Sequence, residues 1–375
     1  MPIEFLGIGA TNDGSETHPR SGGSFDPRYT VELARAHQDH GWDRVLTAYG
    51  SGSPDPAQAA ALIATATDSL KLLVAHRPNV SVPTFAAKTL ATLDHISAGR
   101  TTVHVITGGS DHEQAREGDR LPKDARYTRT REYIQILKEA WTRHESFDYS
   151  GEVYSFEDFV ADVFPVQQPR PDISFGGSSD AAYAVGTAEA DIFCLWGEPL
   201  ADTREQIDRV RREALAAGRT TPPRIQVAFR PILGATPDEA WAKAEGIVRQ
   251  IEARKGVPGT DRRRGPGAPQ NTGSQRLLAI ADRGDRHDTI LYSGTAKATG
   301  GAGNSNALVG TPEQVAEALL AYVDLGVDII SARGYDTLAD AVEFGDTVIP
   351  LVRAEVARRD AARPSASSSA SASAA

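Results

Sequence analysis

The stretch Pro171-Asp172-Ile173-Ser174-Phe175-Gly176-Gly177-Ser178-Ser179-Asp180 passes from a short apolar run through a glycine pair into a helical run at residues 181–189. Glycine lets the backbone approach a ligand closely. A helix that begins on two serines turns free N–H groups, hydroxyls and its positive dipole end toward an anion. The pattern therefore predicts a strand, a phosphate cradle and a helix. An ordinary βα turn with a serine N-cap has the same composition, so the rest of the chain has to decide between them.

The same strand-then-helix alternation runs almost throughout. Strand-like runs fall at residues 4–9, 44–48, 70–76, 101–107, 172–175, 191–196, 224–233 and 327–331. Helical runs at 30–40, 56–69, 84–96 and 128–141 follow the first four, and helices starting at Asp180, Asp202, Asp238 and Leu338 follow the others. Several strand runs are short and nearly all apolar, as strands covered by helices on both faces should be. Eight such units predict a (β/α)8 TIM barrel with insertions. A doubly wound open sheet is the alternative, weakened because no Gly-x-Gly-x-x-Gly follows the first strand. Residues 1–360 are expected to form this single domain, and the Ser/Ala-rich tail at 361–375 to stay disordered, because it has no large apolar residue to offset its ordering entropy. Residues 147–163 read as a hairpin around Ser150-Gly151. Residues 254–306 read as a long loop rich in Gly, Arg, Pro and Asn, including Arg262-Arg263-Arg264-Gly265-Pro266-Gly267. In a barrel that insertion overhangs the catalytic face, where it is expected to act as a lid.

The chain has 375 residues, 40% hydrophobic and 24% charged, with net charge −10. That length accommodates one large α/β domain or two ordinary ones, and the acidic balance disfavours nucleic acid and anionic membrane as partners. No run approaches the ~20 apolar residues of a membrane span, and no N-terminal leader pattern is visible, so the expected location is cytoplasmic. The single cysteine, Cys194, excludes an intrachain disulfide, and its apolar setting predicts a buried, inert thiol. No His/Cys/Asp/Glu cluster has metal-ligand spacing, so no metal is expected.

Several further motifs appear in order. They are Pro78-Asn79-Val80-Ser81-Val82-Pro83-Thr84-Phe85-Ala86-Ala87-Lys88, Ala91-Thr92-Leu93-Asp94-His95-Ile96-Ser97-Ala98-Gly99-Arg100, Val105-Ile106-Thr107-Gly108-Gly109-Ser110 and Arg126-Tyr127. Trp196-Gly197-Glu198-Pro199, Ala307-Leu308-Val309-Gly310-Thr311-Pro312 and Gly334-Tyr335 continue the series. With Gly176-Gly177-Ser178-Ser179-Asp180, this set resembles the bacterial luciferase-like superfamily, and within it the FMNH2-dependent alkanesulfonate monooxygenases. The resemblance implies a (β/α)8 barrel that oxygenates its substrate with FMNH2 and O2 through a C4a-(hydro)peroxyflavin. A separate NAD(P)H:flavin reductase would supply the reduced flavin, and the chain would be a homodimer or homotetramer. It also implies that Gly177, Ser178 and Ser179 hold the FMN phosphate with Tyr127 donating to it. Ala75, His76, His104 and Thr107 would lie against the flavin ring, and Trp196 would wall the substrate side. The implied substrate is an organosulfonate, cleaved at its C–S bond to an aldehyde and sulfite.

The chain departs from that pattern where charge matters. The family has an Arg and a His two residues apart on its seventh strand, and here Ala228 and Arg230 stand there. Ser53 replaces a family cysteine, and Thr299 an arginine, with Lys297 close by. Tyr335 matches, and Arg333 stands where relatives have a small residue. Arg230, Arg333 and Tyr335, with Lys297 or Arg77, are therefore expected to receive a small polar or anionic substrate, because a guanidinium pairs two oxygens and stays charged. A surface ion pair is the plainer role for such arginines. His18, in the loop after the first strand, is a candidate donor or simply a loop histidine. An F420-dependent hydride transfer and a non-catalytic flavin-binding role remain the alternatives.

Overall fold

A computed structural model describes residues 3–255, 268–303 and 306–362. Among these, the strands are β1 (Glu4–Ile8), β2 (Arg44–Thr47), β3 (Lys71–His76), β4 (Thr101–Val105), β5 (Phe147–Ser150), β6 (Ser155–Phe159), β7 (Ile173–Gly176), β8 (Ile192–Trp196), β9 (Arg224–Leu233), β10 (Arg286–His287), β11 (Leu291–Tyr292), β12 (Ala307–Gly310) and β13 (Ile329–Ala332). The helices are α1 (Pro27–Asp39), α2 (Pro56–Ala66), α3 (Pro83–Ile96), α4 (Asp111–Ala115), α5 (Lys123–Thr142), α6 (Asp180–Glu189), α7 (Leu200–Ala216), α8 (Pro237–Ala253), α9 (Thr272–Arg283), α10 (Gly294–Thr299), α11 (Pro312–Asp324) and α12 (Thr337–Ala362).

Eight parallel strands close on themselves in the order β1-β2-β3-β4-β7-β8-β9-β13, with β13 paired back to β1. This is the predicted (β/α)8 barrel, and the open-sheet alternative fails because no edge remains between β13 and β1. Successive residues of each strand face opposite sides. Phe5, Val45, Leu72, Val103, Phe175, Phe193, Val227 and Ile330 join the helices in the outer core. Leu6, Leu73, Ile192 and Ile329 form a separate layer on the barrel axis. Below that layer Glu4 pairs with Arg44 and with Lys71 at 3.0 Å. Burial opposes ionisation of Glu4, yet these cations hold its pKa down at about 2.

Four helices start on a cap followed by proline: Asp26-Pro27, Asp55-Pro56, Thr236-Pro237 and Thr311-Pro312. Each cap side chain accepts from the first-turn amides, and proline at the first position sacrifices no helical bond. The Asp26 cap explains why α1 begins three residues before the expected run.

The hairpin forms as β5–β6, with a register shift between Phe147 and Tyr149. Among its described residues, the expected loop at 254–306 contains α9, the β10–β11 hairpin and α10. Strand β9 outruns the barrel, and its last four residues pair with β12, a strand the sequence reading did not assign. The run 262–267 and the tail from residue 363 lie outside the described residues. No described helix is long and apolar enough to cross a membrane.

Three histidines, His37, His76 and His104, are held neutral by burial, each with its pKa lowered to about 4. Unfolding returns them to about 6.5, so the unfolded chain binds more protons between these values. Their stabilising contribution is complete above about pH 6.5 and is lost as pH falls through 4. The slope approaches about 4 kcal/mol per pH unit for the three together. Thermal unfolding followed from pH 7 to 4.5 should show this decline, and His76→Gln should reduce it by about a third. A midpoint independent of pH across that interval contradicts the assignment.

Candidate active site

The C-terminal rim of the barrel carries the strand-to-helix junction at residues 176–180. Strand β7 ends at Gly176, and Ser179 caps α6, accepting from Ala182 N at 3.3 Å. The Ser179 hydroxyl also donates to Tyr127 of α5 at 3.1 Å. Gly177 lies between them: a Cβ there would sit 2.6 Å from the Ala182 Cβ and 3.8 Å from the Tyr127 hydroxyl. Half-buried Ser178 and Ser179 and the Tyr127 hydroxyl thus lie together at the start of a ten-residue helix. Asp180, in the first turn, turns its carboxylate to Arg209 at 2.7 Å, and that pairing offsets its repulsion of an incoming anion.

Alternation along the strands decides what lines the mouth. Ala75 pairs with His104 across β3 and β4, His104 with Ser174, and Trp196 with Ala228, which in turn pairs with Ser331. These residues share the axial face. His104 Nδ1 meets Ser174 Oγ at 2.9 Å, and that hydroxyl meets Cys194 Sγ at 3.0 Å. Burial pushes the Cys194 thiol up to about 12, so it stays protonated and inert, as expected. Two expected flavin neighbours point elsewhere. His76 turns outward, its Nε2 2.7 Å from the Tyr133 hydroxyl of α5, so only the backbone of that residue borders the mouth. Thr107 donates to Thr130 at 3.1 Å, also on α5. For His76 this follows from parity, because the neighbour of inward Ala75 must face out.

Arg230 is buried, and its guanidinium is almost fully engaged. It donates to Arg333 O at 2.7 Å and Gly334 O at 3.0 Å, and pairs with both carboxylate oxygens of Glu16 at 3.1 Å. It also lies 4.0 Å over the Tyr335 ring. The expectation that Arg230 receives substrate directly is therefore corrected: it braces the turn after β13. Arg333 meets Glu16 at 2.5 Å through one nitrogen and leaves about a third of its side chain exposed. Burial would raise the pKa of Glu16, but Arg230 and Arg333 hold it well below the usual carboxylate range. Tyr335 is buried, which raises the pKa of its phenol.

The other proposed cations are also accounted for. Arg77 is buried between Glu113 and Glu117, both at 3.0 Å. Lys297 is exposed on α10, and Thr299 donates to Ala296 O. Ser53 closes a turn with Gly50. His18 bonds within its own loop, to Ser15 Oγ at 3.0 Å and Asp13 O at 2.7 Å. Among the described residues, no three His, Cys, Asp or Glu side chains are grouped to hold a metal ion.

Helix α9 crosses the mouth. Gln270 accepts from Asp111 N at 2.9 Å, and Gly273 packs so tightly on Trp196 that a Cβ would fall 2.7 Å from the indole ring. Arg276 pairs with buried Glu198 at 2.8 and 2.6 Å. Glu16, Glu198 and Arg276 are site residues that sequence reasoning missed. Glu198 falls within a motif quoted above, whereas nothing distinguishes Glu16 or Arg276 among many charged residues.

The family model for luciferase-like monooxygenases matches residues 6–329. The chain belongs to this family. Solved structures with the same fold include a riboflavin lyase (RcaE) with modified FMN and riboflavin, 18% identical over 95% of this chain and 92% of that one, TM-score 0.76. EDTA monooxygenase (EmoA) from Chelativorans sp. BNC1 is 17% identical over 95% of both chains, TM-score 0.74. An F420-dependent secondary alcohol dehydrogenase is 14% identical over 94% and 99%, TM-score 0.68. At these identities the likeness concerns the fold.

Removing the charge of a buried ion-pair partner is strongly destabilising. Glu198→Gln should therefore loosen α9 locally, raising hydrogen exchange of the 272–283 amides about tenfold or more, equivalent to about 1.4 kcal/mol. Unchanged protection would show that the Arg276 pair does not hold the helix down.

Proposed function

We propose that this protein is the oxygenating component of a two-component flavin monooxygenase. It takes reduced FMN from a separate NAD(P)H:flavin reductase, together with O2, and oxygenates a small organic anion, with an organosulfonate as the substrate class. The observation that carries this reading is the grouping of Gly177, where a Cβ would clash with Ala182, with Ser178 and the hydrogen-bonded Ser179 and Tyr127 at the start of α6. These residues would hold the FMN phosphate at the N-terminus of α6, where amides and dipole favour an anion. Ala75 and His104 would face the flavin ring from the axial side. When bound, reduced FMN supplies the two electrons that let one atom of O2 enter the substrate.

The chain's own residues then perform three tasks. Arg333 offers its free donors to the substrate anion, and Arg230 fixes Arg333 through its backbone carbonyl. Trp196 and α9 cover the mouth and keep water from the reacting centre. His104 remains neutral at physiological pH, so it serves as a hydrogen-bonding group without adding charge.

The phosphate cradle also suits F420, so the test has to separate the two cofactors. Anaerobic protein is mixed with reduced FMN and then with aerated buffer while absorption is recorded. The expected result is tight binding and a transient band distinct from those of both oxidised and reduced FMN. Ser179→Ala should weaken FMN binding about tenfold, the size of one charge-assisted hydrogen bond. Gly177→Ala should weaken it at least as much, because the added methyl meets Ala182. Absence of the band together with preferential binding of reduced F420 overturns the oxygenase reading in favour of hydride transfer.

A further inference from the structure

We infer that Glu16 is a specificity-determining residue: its fixed carboxylate lowers the charge of the substrate pocket to a single positive unit and so selects monoanionic head groups over dianionic ones. This rests on the proposed role of the Arg333 rim as the substrate site.

Arg230 lies on β9 and Arg333 directly after the adjacent strand β13, and both reach the Glu16 carboxylate. Two guanidiniums side by side form a subsite suited to a dianion. Glu16, on the loop between β1 and α1, spans both, with two contacts of 3.1 Å to Arg230 and one of 2.5 Å to Arg333. The next carboxylate, Asp340, accepts from the Tyr335 and Asp336 amides and pairs with Lys243 at 3.4 Å. Its charge also acts on Arg230 but is matched by Lys243, so Glu16 is the carboxylate that pairs with both arginines. Two cations and one anion leave one positive charge, carried by the part of Arg333 that stays exposed.

Glu16 is also held in place. Ser15 N donates to His18 O at 3.0 Å, Thr17 N donates to Ser15 Oγ at 3.2 Å, and the His18 ring spans from Ser15 Oγ to Asp13 O. The turn that presents Glu16 is thus closed on itself. A substrate anion approaching Arg333 meets a counter-charge it does not readily displace. A tetrahedral sulfonate carries one negative charge and suits this pocket. A phosphonate of the same shape carries two above neutral pH and is disfavoured by the carboxylate beside it.

The probes are ethanesulfonate and ethylphosphonate at pH 9, titrated into the full chain by calorimetry with and without FMN. The native protein should bind the sulfonate more tightly. Glu16→Gln should move the affinity ratio toward the phosphonate by about tenfold or more, the effect of one charge removed at hydrogen-bond distance. Glu16→Asp, which keeps the charge, should retain the native preference. Glu16→Gln deprives buried Arg230 and partly exposed Arg333 of their shared carboxylate, so a second variant covers failure to fold. Arg333→Gln leaves a neutral Arg230–Glu16 pair and should bind both anions about tenfold or more weakly. An unchanged ratio in folded Glu16→Gln, undiminished sulfonate binding in Arg333→Gln, or binding of neither anion by the native protein overturns the inference. Anion binding requires no flavin turnover, so the charge rule and the oxygenase reading fail separately.

Discussion

Closure of the parallel sheet between β13 and β1 is the constraint on which the rest of the molecule depends. Once the ring is shut, each strand has one face on the axis and one under the helices, and no side chain has a third option. The axial face is filled from the bottom by Glu4 and its cations, then by Leu6, Leu73, Ile192 and Ile329. Above that layer stand small buried residues such as Ala75 and Ala228. The same rule turns His104 inward and His76 outward, although both end neighbouring strands. Inward and outward histidines are alike in composition and differ only by register.

Charge in the mouth follows a second constraint. A guanidinium taken out of water needs a partner close by, and leaving one unpaired costs several kcal/mol. Arg77 takes Glu113 and Glu117, Arg276 takes Glu198, and Arg230 takes Glu16. Each pair ties a loop to the barrel rim, so ion pairing organises the catalytic face as much as apolar packing does. Arg333 is the arginine of the Glu16 cluster that retains exposed donors, and it is where the pocket keeps its positive character.

Much of this was legible in the chain. The eight barrel strands stand out because parallel strands buried on both faces read as apolar runs, and the Asp-Pro and Thr-Pro pairs mark helix starts. The junction at residues 176–180 was legible because a glycine pair and serines mark the passage from strand to helix. Helix α9 was hidden by the Gly-, Arg- and Pro-rich segment around it, although Leu277, Ile280 and Ala281 give it a buried stripe. Strand β12 was missed because its four residues pair with the overrun of β9, a partner only the folded chain supplies. The role of Glu16 was not legible, because a glutamate in a polar loop carries no mark of two arginines more than 200 residues away. Arg230 was found by position, but its use as a brace depends on carbonyls that only the turn after β13 brings within reach.

The central claim is that a phosphate-bearing flavin is anchored at Gly177, Ser178, Ser179 and Tyr127. Equilibrium binding of reduced FMN against reduced riboflavin, which has the same ring system and no phosphate, tests it most directly. The account predicts that FMN binds at least about a hundredfold more tightly, the sum of two or more charge-assisted hydrogen bonds to the phosphate. Equal affinities would contradict it and remove the cradle from the cofactor site.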